Sequence, residues 1–226
     1  MKKIIKENII PITICTIFEI IAITLFLSTK KIFYLLNFTY IGTCVGAGIS
    51  LMIYKKKYAR HFVQLGVGIY MLIYLGILSR ENMQIEGFWY YLFLGVFEAA
   101  TIHYFVAKIC GPLFFGRGWC GYACWTAMVL DLLPYKTPKE DRKKLGWIRY
   151  IVFLISLLSV SALFILKVGN LENIMFWSFI IGNLIYYILG IALAFIFKDN
   201  RAFCKYICPI AVFLKPASYF SYLRIK

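Results

Sequence analysis

The chain carries two matching segments, Arg-Gly-Trp-Cys-Gly-Tyr-Ala-Cys at residues 117–124 and Arg-Ala-Phe-Cys-Lys-Tyr-Ile-Cys at residues 201–208, each after a long apolar stretch. A shift of 84 positions superposes the arginines, both cysteine pairs and the tyrosines between them. Self-similarity at a fixed offset is typical of an internal repeat. Four thiols in two identical spacings indicate one metal centre.

The composition places the chain in a lipid bilayer. Hydrophobic residues make up 62% of the sequence and the mean hydropathy is +0.78, more apolar surface than one soluble core can bury. Barrel strands would be shorter and would alternate with polar residues. Six stretches have the length of about 17 to 25 residues that a membrane-spanning helix needs: roughly 9–28, 33–54, 62–79, 88–107, 150–166 and 174–197.

We therefore expect an all-α, polytopic membrane protein of about six transmembrane helices, with residues 1–226 forming a single integral membrane domain. The repeat predicts two halves at about 62–134 and 146–216 that run in the same direction. Both cysteine pairs can then meet at one site. The first apolar stretch is long and lacks a small-residue cleavage site, so we expect it to be retained rather than removed as a signal peptide.

The basic residues predict the orientation. With a cytoplasmic N-terminus, 21 of the 25 Lys and Arg residues lie in cytoplasmic segments. Both termini and both cysteine segments then lie on the cytoplasmic side of the cell membrane. This distribution accounts for the formal net charge of +15 through anionic lipid headgroups, so we expect membrane lipids as partners and no nucleic acid.

The cytoplasm keeps thiols reduced, which argues against structural disulfides. On a regular helix, C-x3-C places two Cβ atoms about 5 to 6 Å apart, whereas a disulfide needs about 3.8 Å. An iron–sulfur cube spreads its thiolate ligands widely and suits this spacing. Zinc, whose usual spacings are C-x2-C and C-x4-C, and copper(I), which soft thiolates accept, stay open as alternatives. Nearby basic residues favour thiolates: Arg117, Arg201 and Lys205.

The two segments, with Pro209 directly after the second pair, resemble the membrane-embedded polyferredoxin-type 4Fe–4S binding family, whose motif is C-x3-C-P. Its relatives include the membrane subunit of periplasmic nitrate reductase systems and the membrane regulator of nitrous-oxide reductase. The second pair matches the motif fully, whereas Trp125 follows the first pair where the family has proline. The resemblance covers roughly residues 88–216 and implies transfer of electrons across or along the membrane.

The resemblance also implies a [4Fe–4S] cluster and its ligands: Cys120, Cys124, Cys204 and Cys208. Typical relatives continue into a soluble domain with further cysteine runs, and no such run precedes Lys226. We therefore expect a separate donor or acceptor of the ferredoxin or flavoprotein type, and an electron-transfer component more than a stand-alone enzyme. Two other hypotheses stay open: a membrane assembly factor that handles copper or zinc, and a structural or transport protein with inert cysteines.

Ionisable residues in predicted spans are costly to bury and are candidates for a proton or quinone site. Glu19 lies in the first span, and Glu98 and His103 lie in the fourth. The alternative interpretation is that these polar groups fix helix packing.

The three remaining cysteines are expected to pack as small apolar side chains. Cys15 and Cys44 lie within apolar stretches. Cys110 ends the fourth span ten residues before Cys120, so for this residue a spare thiol near the predicted centre is the alternative to packing.

Overall fold

The computed structural model describes residues 8–97, 100–116, 118–135 and 144–221. Every regular element within these ranges is helical, as predicted. The chain divides into two compact units, Met1–Ile69 and Tyr70–Lys226. Both cysteine segments belong to the second unit.

Among the described residues, five helices are long and apolar enough to cross a membrane. They coincide with five of the six predicted spans, and many of their large apolar side chains, such as Ile20 and Leu158, are exposed. Such surfaces are compatible with a membrane protein. The five helices are Ile9–Thr29, Ile32–Ile53, Ala59–Leu78, Ile148–Ile165 and Leu171–Phe197.

The first unit is built on a helical hairpin. Helix α1 (Ile9–Thr29) and helix α2 (Ile32–Ile53) are joined by two lysines, and Lys30 adopts a left-handed conformation (φ 59°) while its N–H donates to the Phe26 carbonyl. The helices pack closely at Gly42, where an added Cβ would lie 2.5 Å from the Phe18 Cβ. Helix α3 (Ala59–Ile69) completes the unit and continues as a π-helical segment, Tyr70–Leu78.

The fourth predicted span, expected at 88–107, differs from the structure. Helix α4 (Ile85–Phe93) is followed by Gly95, whose φ of 69° is left-handed and whose N–H donates to the Leu92 carbonyl. Helix α5 (Ala100–His103) then leads into a second π-helical segment, Tyr104–Cys110. The sequence reads as one apolar run because its hydropathy does not reveal a glycine turn within it.

Among the described residues, seven further helices complete the second unit, and four of them carry or follow the cysteine segments. They are α6 (Gly111–Phe115), α7 (Gly118–Tyr122), α8 (Trp125–Leu130), α9 (Ile148–Ile165), α10 (Leu171–Phe197), α11 (Ala202–Tyr206) and α12 (Ala211–Tyr219), where α6 is the short link after the π-helical segment.

An aromatic core joins the helices of the second unit. The Phe88 ring stacks on Tyr104 with 5.0 Å between centroids and meets Phe213 edge-on at 5.5 Å. These rings come from α4, the second π-helical segment and α12. Cys120 and Cys208, one from each cysteine segment, pack against the same core as partly buried residues. The core therefore positions both segments.

Gly87 in α4 tests this packing, because an added Cβ would overlap the backbone carbonyl of Asn82. We expect Gly87→Ala to lower stability by about 1 to 3 kcal/mol, since overpacking against backbone cannot relax by side-chain rotation. Thermal unfolding in detergent measures this change. Gly169→Ala is the matched control, because a Cβ there meets nothing within 4 Å. Equal melting temperatures for the two variants would contradict the packing described.

Candidate metal centre

The two cysteine segments share one local structure. Cys120 lies in α7, and Cys124 is an extended residue (φ −92°, ψ 121°) directly before α8. Cys204 lies in α11, and Cys208 follows the end of that helix, before α12. The helix therefore ends between the two cysteines of each pair, so the expected one-turn spacing on a regular helix is not what the structure has. In the second segment Pro209 supplies the reason, since a residue before proline avoids helical backbone.

The thiols of both segments converge. Cys124, Cys204 and Cys208 line one enclosed cavity. The Cys120 thiol interacts electrostatically with Cys204 and Cys208. All seven cysteines of the chain are free of disulfides. In the described ranges, no three His, Cys, Asp or Glu side chains are spaced as ligands of a single metal ion.

Burial determines the state of the second thiol pair. It raises the pKa of Cys204 to about 12, with a further increase from Cys124 that Arg201 opposes. Burial and then the neighbouring thiolates raise the pKa of Cys208 well above its ordinary value. Both thiols therefore keep their protons at neutral pH, and a metal centre would displace these protons when it binds.

An ion pair joins the two segments. Arg201, at the start of the second segment, donates from Nη2 to Asp131 Oδ2 at 2.5 Å, and Asp131 follows the helix after the first segment. The neighbouring Asn200 donates from Nδ2 to the Leu133 carbonyl at 2.7 Å. Burial opposes the charge of Arg201, but Cys204, Asp131 and Cys124 together raise its pKa. Arg201 thus acts electrostatically on the thiols and has a carboxylate partner, Asp131, that the sequence did not predict.

The other two basic residues expected beside the thiols are Lys205 and Arg117. Lys205 forms an ion pair with Asp199 and is absent from the described lining of the cavity. The same carboxylate accepts the backbone N–H of Arg201 at 2.9 Å. Arg117 lies outside the described residues.

The structure places several residues at the centre that the sequence did not predict there. Lys108 is buried on the wall of the cavity, where Gln84 and Tyr186 also lie. The available sequence signal for Lys108 is its position as a lysine at the end of an apolar run. Trp125 anchors the first segment to α10, since its Nε1 donates to Asn183 Oδ1 at 2.8 Å.

The predicted proton or quinone residues are dispersed along the chain. Glu19 belongs to the first unit, where its Oε2 accepts a hydrogen bond from the Thr39 hydroxyl at 2.9 Å. This hydrogen bond between α1 and α2 is the kind of contact by which a polar side chain fixes helix packing. His103 is buried in the second unit, and its Nε2 has no hydrogen-bond partner among the described residues. Glu98 lies outside the described residues.

The three other cysteines lie away from the lining of the cavity. The Cys15 thiol donates to the Gly42 carbonyl at 3.5 Å within the α1–α2 hairpin. Cys44 faces Gly66 in the same unit. Cys110 ends the second π-helical segment and is partly exposed.

The ion pair that joins the segments predicts a stability effect. We expect Asp131→Asn to lower the free energy of unfolding by about 1.5 to 3 kcal/mol, because Arg201 would lose a charged hydrogen bond in a partly buried position. Thermal unfolding in detergent measures the loss. Lys198→Met is the control, because Lys198 is an exposed residue directly after α10 and three positions before Arg201. This variant should leave the melting temperature unchanged. An unchanged Asp131→Asn variant would contradict the joining role.

The raised pKa values predict slow alkylation of the metal-free protein. The thiolate is the reactive form, so Cys204 and Cys208 should react with iodoacetamide at pH 8 at least about tenfold more slowly in the folded chain than in denaturant. The rate should rise as pH approaches the raised pKa. Peptide mass spectrometry after timed quenching measures each rate. Equal rates in folded and denatured chains would contradict the burial of this pair.

Comparison with known proteins gives this geometry a context. A family described as a 4Fe–4S binding domain matches residues 102–140 and 174–225, which include all four cysteines of the two segments. An uncharacterized protein of Methanocaldococcus jannaschii is 29% identical over 127 residues. The matched part is 50% of this chain and spans about half of that relative, 53% of its length. No solved structure matches the chain. The family match supports an iron–sulfur binding family, with a [4Fe–4S] cluster as the cofactor.

Proposed function

We propose that this chain is a membrane iron–sulfur protein of the polyferredoxin type that carries electrons at the cytoplasmic face. One observation carries the proposal: thiols from two segments about eighty residues apart in the chain converge at one enclosed cavity in the second unit. The proposed ligands are Cys120, Cys124, Cys204 and Cys208.

The donor set fits the cluster. Four thiolates are the usual ligands of a [4Fe–4S] centre, and when bound the cluster supplies one-electron redox chemistry. The chain contributes the rest: Arg201 offsets thiolate charge, and Trp125, Phe203 and Ile210 form apolar parts of the wall that keep water out.

The electron donor and acceptor are proposed to be separate proteins of the ferredoxin or flavoprotein type, or a quinone. Buried His103, with its unpartnered Nε2, supports a proton or quinone site on the segment that leads to the first cysteine pair. Glu98, five residues earlier, is proposed as part of that site. A carrier role requires that the cluster be reduced by one partner and reoxidised by the other.

The proposal predicts about four irons and four acid-labile sulfides per chain after anaerobic purification in detergent. Dithionite reduction should produce an electron paramagnetic resonance signal and bleach the visible absorbance. Cys204→Ser should lose most of the iron and the signal, because one ligand is removed. Cys15→Ser is the matched control, since Cys15 packs in the α1–α2 hairpin, and it should retain both.

Other outcomes would identify the rival functions. Bound copper or zinc without acid-labile sulfide would replace the proposal with a metal-handling assembly factor. Retention of iron in Cys204→Ser would contradict the ligand assignment. Reoxidation of the reduced cluster by a soluble quinone, a ferredoxin or a flavoprotein, followed at the visible absorbance, distinguishes the classes of acceptor.

A further inference from the structure

Lys108 is a buried cation on the wall of the cysteine cavity. Its residue is 1% exposed, and it lines the cavity together with Cys124, Cys204 and Cys208. The described lining contains no carboxylate. Lysine is almost never fully buried unless an opposite charge compensates it. The thiols are therefore the groups on this wall that can provide that charge, once they are deprotonated.

Two cations of the second cysteine segment have carboxylate partners. Arg201 is paired with Asp131, and Lys205 is paired with Asp199. These pairs neutralise part of the positive charge that the second segment brings. Lys108 belongs to a different element, the second π-helical segment, which precedes the first cysteine segment in the chain. A π-helical turn is a frequent feature of functional sites, because it shifts side chains from their regular helical positions.

We propose that Lys108 is a positioning residue that raises the reduction potential of the [4Fe–4S] cluster by holding a fixed positive charge beside its thiolate ligands. This inference rests on the proposed function. Reduction adds one electron to the cluster from an external donor such as dithionite, and no bond forms or breaks. The cluster then carries one more negative charge, which a nearby cation stabilises strongly in a water-poor interior.

A redox titration of the full chain, followed by electron paramagnetic resonance, tests the inference. At the wild-type midpoint potential, Lys108→Met should show a reduced-to-oxidised ratio about tenfold lower, a shift of about 59 mV for one electron. Lys108→Arg keeps the charge and should stay within about twofold of wild type. Lys215→Met is the matched control at an exposed lysine of α12 and should leave the potential unchanged.

A second neutral variant, Lys108→Gln, covers the case in which Lys108→Met does not retain iron. A wild-type potential in any neutral variant that keeps its cluster would overturn the inference. Loss of the cluster from all three variants, Lys108→Arg included, would overturn it as well. Cluster loss from the two neutral variants alone would support a required positive charge. A wild-type chain without iron and sulfide would instead contradict the proposed function.

Discussion

The ion pair between Arg201 and Asp131 brings together parts of the chain that lie 70 residues apart. A hydrogen bond from Asn200 to the Leu133 carbonyl joins the same two parts of the chain. An exposed pair of this kind contributes little, but this one lies in a partly buried position where water competes less. Arg201 also lowers the pKa of the Cys204 thiol against the effect of burial, so the residue that joins the segments also acts on a proposed ligand.

Burial of the thiols has two opposite effects on the centre. It keeps them protonated in the metal-free chain, because a thiolate away from water is unfavourable. The same exclusion of water strengthens the attraction between bound thiolates and the cation Arg201. The site therefore favours a centre that brings its own positive charge. An iron–sulfur cluster meets this requirement, in agreement with the family match.

Much of the fold follows from local properties of the sequence. Five of the predicted spans agree with helices in the structure within a few residues, because the length of an apolar run is a local feature that the bilayer selects. The fourth span differs, since Gly95 turns the chain within an apolar run and hydropathy does not register backbone conformation. The repeat and the membrane orientation remain predictions.

The sequence by itself determined the helical class, the apolar spans and the cysteine pairs, because composition, run length and residue spacing are properties of neighbouring positions. It also places Arg201 three positions before Cys204. Only the tertiary structure decided that Asp131 pairs with Arg201, that Lys205 is paired with Asp199 instead of lining the cavity, and that Lys108 lies beside the thiols. These relations join separate elements, and a buried charge finds its partner through the packing of those elements rather than through its position in the chain.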